Sequence, residues 1–516
     1  MMHHFPWLTA VLACWVGWSV ATAQAPRPHM LFILADDLGY GDLSSYGATD
    51  LPTPQIDRLA HEGIRLTAHY AAANTCSPSR ASLLTGRYPP RTRVNAVLAY
   101  DTLEGLPLEE ITIAEVLRDA GYRTAMVGKW HLGQVEAFMP WHQGFEEFFG
   151  VATSNDSPNF YLYESHGTTY WRLPHAVDQQ TLTQHFTARA VQWLTLQARE
   201  VHPWFLYLAY TAPHVPLHPA PAFVGTSARG RYGDVVLELD AAVGHILAHV
   251  QALGLEKQTL VVFSSDNGAW RTMRTHGGSN GVLREGKLTT FDGGQRVPAL
   301  ARWPGHIPPG LVYHEAVTMM DWFPTFAALA GVPVPTDRVI DGKDLRAVLQ
   351  GTGPREPTPF YYFALRPPHA TQGHRVAGVR EGRWKLKLAQ RGSYPAVLEP
   401  LLKVGLYPHG DLLFDVAADP GETTNVLPQQ PAIAQHLRQL IEEFRRANPM
   451  PEPIRVTALP QDTAGWEQLW LGVAEAGCIA LFGLCLLAWL GWRVVSGLRP
   501  LLRYPWRAPV KPKRPR

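Results

Sequence analysis

The chain has 516 residues, 46% of them hydrophobic and 17% charged, with a formal net charge of +2. That is a globular composition, long enough for one large or two moderate hydrophobic cores, and it contains no internal repeat or low-complexity tract. The charge is uneven: residues 493–516 carry eight Lys and Arg and no Asp or Glu. The remainder is therefore slightly acidic, which gives no reason to propose a nucleic-acid partner.

Residues 1–25 hold an apolar run, Phe5 to Val20, and end in the small residues Ala21-Thr-Ala23 and Ala23-Gln-Ala25. This is the pattern of a secretory signal peptide, and export is expected. An uncleaved N-terminal anchor is the competing reading, since His3 and His4 stand where Lys or Arg is usual. Next, His29 to Ala35 is a short apolar run that stops at Asp36-Asp37-Leu-Gly-Tyr-Gly, which predicts a buried strand ending in a turn. Both carboxylates then sit at a strand's carboxyl end, where open α/β sheets build their sites. Two adjacent acids at such a place suit a hard divalent cation, although the same hexapeptide alone is more often a surface turn.

Amphipathic helices are expected after Pro54, through Ile56, Leu59, Ala60 and Ile64, and from Ile111 to Ala120. Between them lies Asn74-Thr-Cys-Ser-Pro-Ser-Arg-Ala-Ser-Leu-Leu-Thr-Gly-Arg87. Cys76 is the only cysteine outside the two apolar ends of the chain, so no intrachain disulfide is available to it in the soluble part. Pro78 fits the first turn of a helix, where its missing N–H is not needed, and Arg80 can fold back along that turn toward an anion.

A strand from Gly121 ends in Gly128-Lys-Trp-His-Leu132, and period-two alternation predicts Lys129 and His131 on one face. The aromatic-rich stretch 138–171 is mostly packing, with sugar-stacking or aryl-pocket positions among it. Pro203 to Tyr210 reads as another buried strand, with His214 just beyond its end. A helix over 234–253 and a strand over 258–264 follow, and the strand delivers Ser265-Asp-Asn-Gly268. From about Asp341 the chain changes to a smaller unit. It contains a two-stranded hairpin, 378–388, with its turn at Glu381-Gly382, and then a helix through Ile433, Leu437, Leu440, Ile441 and Phe444.

A Pro-rich linker, 449–468, leads to Leu469–Trp492, 24 residues whose only charge is Glu475. At ~1.5 Å per residue this spans a hydrocarbon core of ~30 Å. It is apolar on every face, and the basic tail 493–516 follows on the side that a positive-inside orientation places in the cytoplasm. The expectation is a transmembrane helix with the preceding domain outside the cytoplasm, periplasmic or on the cell surface.

Four of these stretches together resemble one family. Cys76-Ser-Pro-Ser-Arg80, followed by Thr85-Gly-Arg87, resembles the sulfatase signature C-x-P-x-R…T-G-R, whose cysteine is oxidised to formylglycine. Gly128-Lys-Trp-His-Leu132 resembles the second signature, Arg284-Glu-Gly-Lys287 the R-x-G-K segment, and Leu413 to Glu422 the closing turn. The resemblance runs from about His29 to Asn448.

It implies an alkaline-phosphatase-like α/β fold, a large mixed sheet flanked by helices (29–340) with a smaller C-terminal α+β subdomain (341–448). It implies Asp36, Asp37, Asp266 and Asn267 as ligands of Ca²⁺, or of Mg²⁺, with residue 76 completing the shell. An all-oxygen site of this kind is wrong for zinc. Arg80, Lys129, His131, His214 and Lys287 are implied around the sulfate, with Ser154 as a further sulfate contact from its spacing after Gly150. His131 is the base that ejects sulfate, His214 and Lys287 face the leaving oxygen, and Asp266 has the further role of accepting a diol proton. The implied partners are a sulfated small molecule or glycan and a formylglycine-generating maturation enzyme. A C-terminal anchor departs from the common soluble members. The competing functions are a phosphonate monoester or phosphodiester hydrolase of the same superfamily, and a non-catalytic sulfated-glycan-binding protein with an unmodified thiol.

Overall fold

A strand that is apolar at nearly every position needs cover on both faces, and β1 (His29–Ala35) has it. Met30, Phe32 and Leu34 enter one hydrophobic cluster and Leu31, Ile33 and Ala35 the other, as two-residue alternation requires. The structure is a computed structural model and describes residues 27–158, 160–173, 178–364, 376–389 and 410–448, all within the unit Met1–Pro453. The leader, the linker, the apolar segment 469–492 and the basic tail lie outside the described residues.

After β1 come α1 (Pro54–His61), β2 (Ile64–Leu66), β3 (His69–Tyr70), α2 (Cys76–Thr85), α3 (Ile113–Asp119), β4 (Arg123–Lys129), β5 (Glu147–Val151), β6 (Leu162–His166) and β7 (Thr169–Arg172). The middle of the chain gives α4 (Leu182–Gln197), β8 (Trp204–Ala209), α5 (Gly230–Ala252), β9 (Thr259–Ser265), β10 (Arg296–Val297), β11 (Ala299–Arg302), β12 (Leu311–Tyr313), β13 (Val317–Thr318) and α6 (Trp322–Leu329). The last part supplies β14 (Phe360–Phe363), β15 (Val376–Glu381), β16 (Trp384–Lys387), β17 (Leu412–Asp415) and α7 (Pro431–Ala447).

Among the described residues the main sheet has ten strands in the order β12-β2-β11-β9-β1-β8-β4-β5-β6-β7. Its centre, β9-β1-β8-β4-β5, is parallel. Antiparallel pairings of β11 with β9 and of β6 with β5 carry it outward on both sides. One face is covered by α1, α4 and α5 through Leu59, Phe186, Trp193, Leu239 and Ile246. The other is covered by α2, α3 and α6 through Leu84, Leu117, Trp322 and Phe326. Among the described residues only α5 is long and apolar enough to cross a membrane, and its Val236, Leu239, Val243 and Ile246 are buried in the core.

The smaller sheet is antiparallel, in the order β14-β15-β16-β17. Buried Leu437 and Ile441 of α7 belong to the same hydrophobic cluster as the inner face of the large sheet, and Tyr88 packs its ring among Phe360, Phe363 and Phe444. The two sheets therefore share a hydrophobic core. The hairpin turn falls one residue later than expected. Glu381 still pairs with Trp384, so the turn is Gly382-Arg383, with Gly382 in the left-handed region at φ 54°.

Candidate active site

The central strands end level with one another. Ala35 of β1 is in register with Ser265 of β9, so Asp36-Asp37 and Asp266-Asn267 emerge side by side at the edge where parallel sheets bind ligands. The exits are joined: the Asp266 N–H donates to the Ala35 carbonyl at 3.2 Å, and the Asp37 N–H donates to the Asp266 carboxylate at 3.1 Å. Asp37 is left-handed at φ 65°, a conformation that Asp adopts more readily than most residues. Its carboxylate accepts from Asn267 Nδ2 at 2.7 Å and from Lys287 Nζ at 2.8 Å.

Helix α2 runs into this edge with all ten of its residues buried. Cys76 is its first residue, and Arg80, one turn on, donates to Asp266 Oδ2 from Nε and Nη2 at 3.0 and 2.8 Å and to the Lys129 carbonyl at 2.8 Å. Lys129, the last residue of β4, donates to Asp36 Oδ2 at 2.5 Å and to Ser154 Oγ at 3.0 Å. Burial is the largest influence on Asp36 and opposes its ionisation, but Lys129, His214, Arg80 and Lys287 outweigh it and hold the carboxyl well below the usual range. Asp266 goes the other way: burial and then the Asp36 charge push it up to about 7 against the pull of Arg80. Burial also pushes the Cys76 thiol up to about 11, despite Lys129 and Lys287. An unmodified thiol here is protonated at neutral pH and so a poor nucleophile.

Lys129 and His131 do not share a face by strand alternation, because β4 stops at Lys129 and His131 lies beyond it with φ 57°. A turn brings it to the cluster instead. His131 Nε2 is 3.0 Å from the Leu98 carbonyl. A carbonyl only accepts, so Nε2 carries the hydrogen, and Nδ1, buried with no protein partner, keeps its lone pair. Burial, then Lys129 and Arg80, hold the ring far below the usual histidine range and therefore neutral. The Leu98 N–H in turn donates to Ser77 Oγ at 3.1 Å, so the residue after Cys76 fixes the loop that orients His131.

His214 donates from Nδ1 to the Val215 carbonyl at 2.5 Å and places Nε2 3.6 Å from Asp37 Oδ2. Burial and the neighbouring Lys287 lower its pKa. Trp270 stands beside both residues, its ring 5.8 Å from the His214 ring and 4.4 Å from Lys287 Nζ. Thus all eleven residues singled out in the sequence lie at or beside one edge of the sheet. Sequence reasoning missed Trp270, whose signal was its place three residues after Asn267. It also missed the Leu98 carbonyl, which has no side-chain signal at all.

Ligand atoms of Asp36, Asp37, Cys76 and His214 lie within 4.8 Å of one another. Asn267 Oδ1 is buried without a hydrogen-bond donor, and Asp36 Oδ1 has no hydrogen bond beyond its ion pair with Arg80 Nη2 at 3.4 Å; a buried acceptor left without a hydrogen bond costs about 1–3 kcal/mol unless something else satisfies it. Both are oxygens, and they stand beside the carboxylates of Asp37 and Asp266. That donor set fits a hard divalent cation.

A family model described as Sulfatase matches residues 28–332, and one described as N-sulphoglucosamine sulphohydrolase, C-terminal, matches residues 286–392. The chain is 41% identical to arylsulfatase A of Bos taurus over 451 residues, 82% of this chain and 88% of the relative. It is 41% identical to N-acetylgalactosamine-6-sulfatase of Mus musculus over 388 residues, 71% and 73% of the two chains. Among solved structures, the PsFucS1 sulfatase from Pseudoalteromonas sp. superposes with a TM-score of 0.73 at 26% identity, over 83% of this chain and 92% of that one. Ps i-CgsB in complex with k-i-k-neocarrahexaose gives a TM-score of 0.71 at 28% identity, over 85% and 96%.

If the orphaned oxygens await a cation, calcium will stabilise the fold. Chelator-treated protein should melt lower than protein returned to Ca²⁺, with a gain of about 2.7 kcal/mol at ~100-fold excess over Kd. Asn267→Ala should lose most of that response. A melting temperature indifferent to chelator and Ca²⁺ would contradict the cation site.

Proposed function

The chain belongs to the sulfatase family, sulfuric ester hydrolases of alkaline-phosphatase-like α/β fold, and from that premise we propose that it hydrolyses an aryl or carbohydrate sulfate ester at the Cys76 site. The observation that carries the reading is the convergence of buried Cys76 with Asp36, Asp266, Lys129 and Lys287 at one edge of the sheet. The thiol's place in Cys76-Ser-Pro-Ser-Arg80, at the start of a buried helix and beside two lysines, supports its oxidation to formylglycine by a maturation enzyme. As formylglycine, residue 76 would supply a hydrated aldehyde, with one hydroxyl to attack sulfur and a second to expel the sulfate afterwards. A divalent cation, Ca²⁺ or Mg²⁺, held by Asp36, Asp37, Asp266 and Asn267, would supply positive charge to the attacking and sulfate oxygens.

The remaining roles are those the family resemblance implies, and the positions of the side chains support them. Arg80 and Lys129 present donors to the non-bridging sulfate oxygens, with Ser154 on the far side of Lys129. His131, neutral and with Nδ1 free to accept, takes the proton whose loss releases sulfate. His214 and Lys287, beside Asp37 and next to Trp270, protonate or stabilise the departing alkoxide. The relatives' names, arylsulfatase A and N-acetylgalactosamine-6-sulfatase, support an aryl or sugar leaving group. The sequence of the ends supports an exported protein with a leader at 1–25, anchored through 469–492 with the tail 493–516 in the cytoplasm.

An alkyl or sugar alkoxide is a strong base and needs protonation as it leaves, whereas a nitrophenolate does not. His214→Ala should therefore lower kcat/KM for a sugar or alkyl sulfate by roughly 10²–10⁴ and for a nitroaryl sulfate by about tenfold or less. Lys129→Ala should depress both alike, because a cation on non-bridging oxygens serves every ester. Equal slowing of both substrates by His214→Ala would remove the leaving-group role. If the phosphate or phosphonate ester of the same alcohol is turned over faster than the sulfate, the activity is that of the competing hydrolase. For topology, truncation at Gln461 should release active enzyme into the soluble exported fraction, and a truncated protein that stays with the membranes contradicts the anchor.

A further inference from the structure

Glu422 belongs to the closing turn after β17, and no step of the proposed reaction uses it. Yet it is completely buried and left-handed at φ 51°, a conformation that costs a non-glycine residue about 1 kcal/mol or more and persists only where its surroundings over-determine it. Those surroundings are the loop that carries Lys287. The Gly293 N–H donates to the Arg284 carbonyl at 2.9 Å, closing a loop with Lys287 inside it. Glu422 holds both ends. Its backbone carbonyl accepts from Arg284 Nη1 at 2.8 Å, and its carboxylate accepts from the Asp292 N–H at 2.6 Å.

Lys385 of β16 joins the two acids, 2.7 Å from Asp292 Oδ1 and 2.8 Å from Glu422 Oε1. Tyr362 of β14 donates to Asp292 Oδ1 at 3.0 Å and Tyr70 of β3 donates to Oδ2 at 2.6 Å. The loop cannot easily keep its shape alone, since Glu285 and Leu288 on either side of Lys287 are also left-handed, at φ 60° and 76°. Its inner side meets the catalytic edge: the Leu288 N–H donates to the Asn74 carbonyl, two residues before Cys76, and the Lys287 N–H to the Ala269 carbonyl, both at 3.0 Å.

We infer that Glu422, with Lys385, is a positioning residue for Lys287: the C-terminal sheet clamps the loop from outside so that its ammonium stays on Asp37 and beside the leaving oxygen. The inference rests on the role of Lys287 proposed above. It gives the closing turn a function in the reaction and makes the small sheet part of the catalytic machinery's support.

The test uses the purified full chain with Glu422→Ala, which removes the acceptor, and Glu422→Gln, which keeps an oxygen for the Asp292 N–H. Glu422→Ala leaves Lys385 its 2.7 Å contact with Asp292, which Arg296 also faces at 3.8 Å, but takes the acceptor from the buried Asp292 N–H. Tyr362→Phe, which removes one hydroxyl from Asp292, is the milder variant should Glu422→Ala not fold. The first readout is acetylation of Lys287 by acetic anhydride, followed by mass spectrometry with Lys129 as the internal reference. Glu422→Ala should raise Lys287 labelling about tenfold through local opening, Tyr362→Phe should raise it less, and Glu422→Gln should stay at the parent rate, with Lys129 unmoved throughout. The second readout is a double-mutant cycle on an alkyl sulfate. Glu422→Ala should lower kcat/KM about tenfold in the parent but cause no further loss in a Lys287→Ala background, as coupled residues do. Unchanged Lys287 labelling in folded Glu422→Ala or Tyr362→Phe protein overturns the clamp, as do kinetic losses that multiply. If Lys287→Ala alone leaves turnover at the parent level, the role of Lys287 fails instead, and labelling alone decides the clamp.

Discussion

Three carboxylates and three fixed cations, Asp36, Asp37 and Asp266 with Arg80, Lys129 and Lys287, are buried together at the carboxyl edge of the sheet. Taking any one such ion out of water costs several kcal/mol, and only close pairing repays it. Removing a single partner strands its opposite and is expected to cost about 3–5 kcal/mol. The cluster therefore fixes where strands β1, β4 and β9, helix α2 and the 284–293 loop must end relative to one another. Their side chains are hydrogen-bonded to one another there, so the site is preorganised before any substrate arrives, which is the condition for electrostatic catalysis.

The rest of the fold can be understood as what holds those termini level. The continuous apolar strand β1 is gripped by β8 and β9 and covered on both faces, so its register with β9 cannot slip without turning Leu31 and Ile33 into the wrong layer. Helix α2 is buried along its whole length against the opposite layer. The antiparallel C-terminal sheet shares that layer and reaches back through Lys385 and Glu422 to the loop of Lys287. Rigidity at the catalytic edge is thus supplied from both ends of the described chain.

Much of this was legible in the sequence because it is local. The run His29–Ala35 reads as a two-faced buried strand, Asp36-Asp37 and Asp266-Asn267 fall directly after strands, and Cys76 and Arg80 are one helical turn apart. What escaped is non-local or has no side-chain signature. His131 is aimed by a backbone carbonyl from Leu98 and by a left-handed turn that strand periodicity cannot foresee. Trp270 belongs to none of the motifs. Glu422 meets Asp292 across 130 residues of chain and Lys385 meets it across 93, distances over which spacing carries no information. The hairpin turn lies one residue later than Glu381-Gly382 because the pairing of Glu381 with Trp384 decides its position.

The central claim is that position 76 acts as an aldehyde and not as the buried, protonated thiol its surroundings would otherwise make inert. Trypsin cleaving after Arg65 and Arg80 gives a peptide that contains residue 76, and its mass measures the side chain directly. In active protein this account predicts the mass of a chain whose –CH₂SH has become –CHO, with the aldehyde trapped by a hydrazide reagent and lost in Cys76→Ala. A fully active preparation whose peptide carries only unmodified cysteine would contradict it.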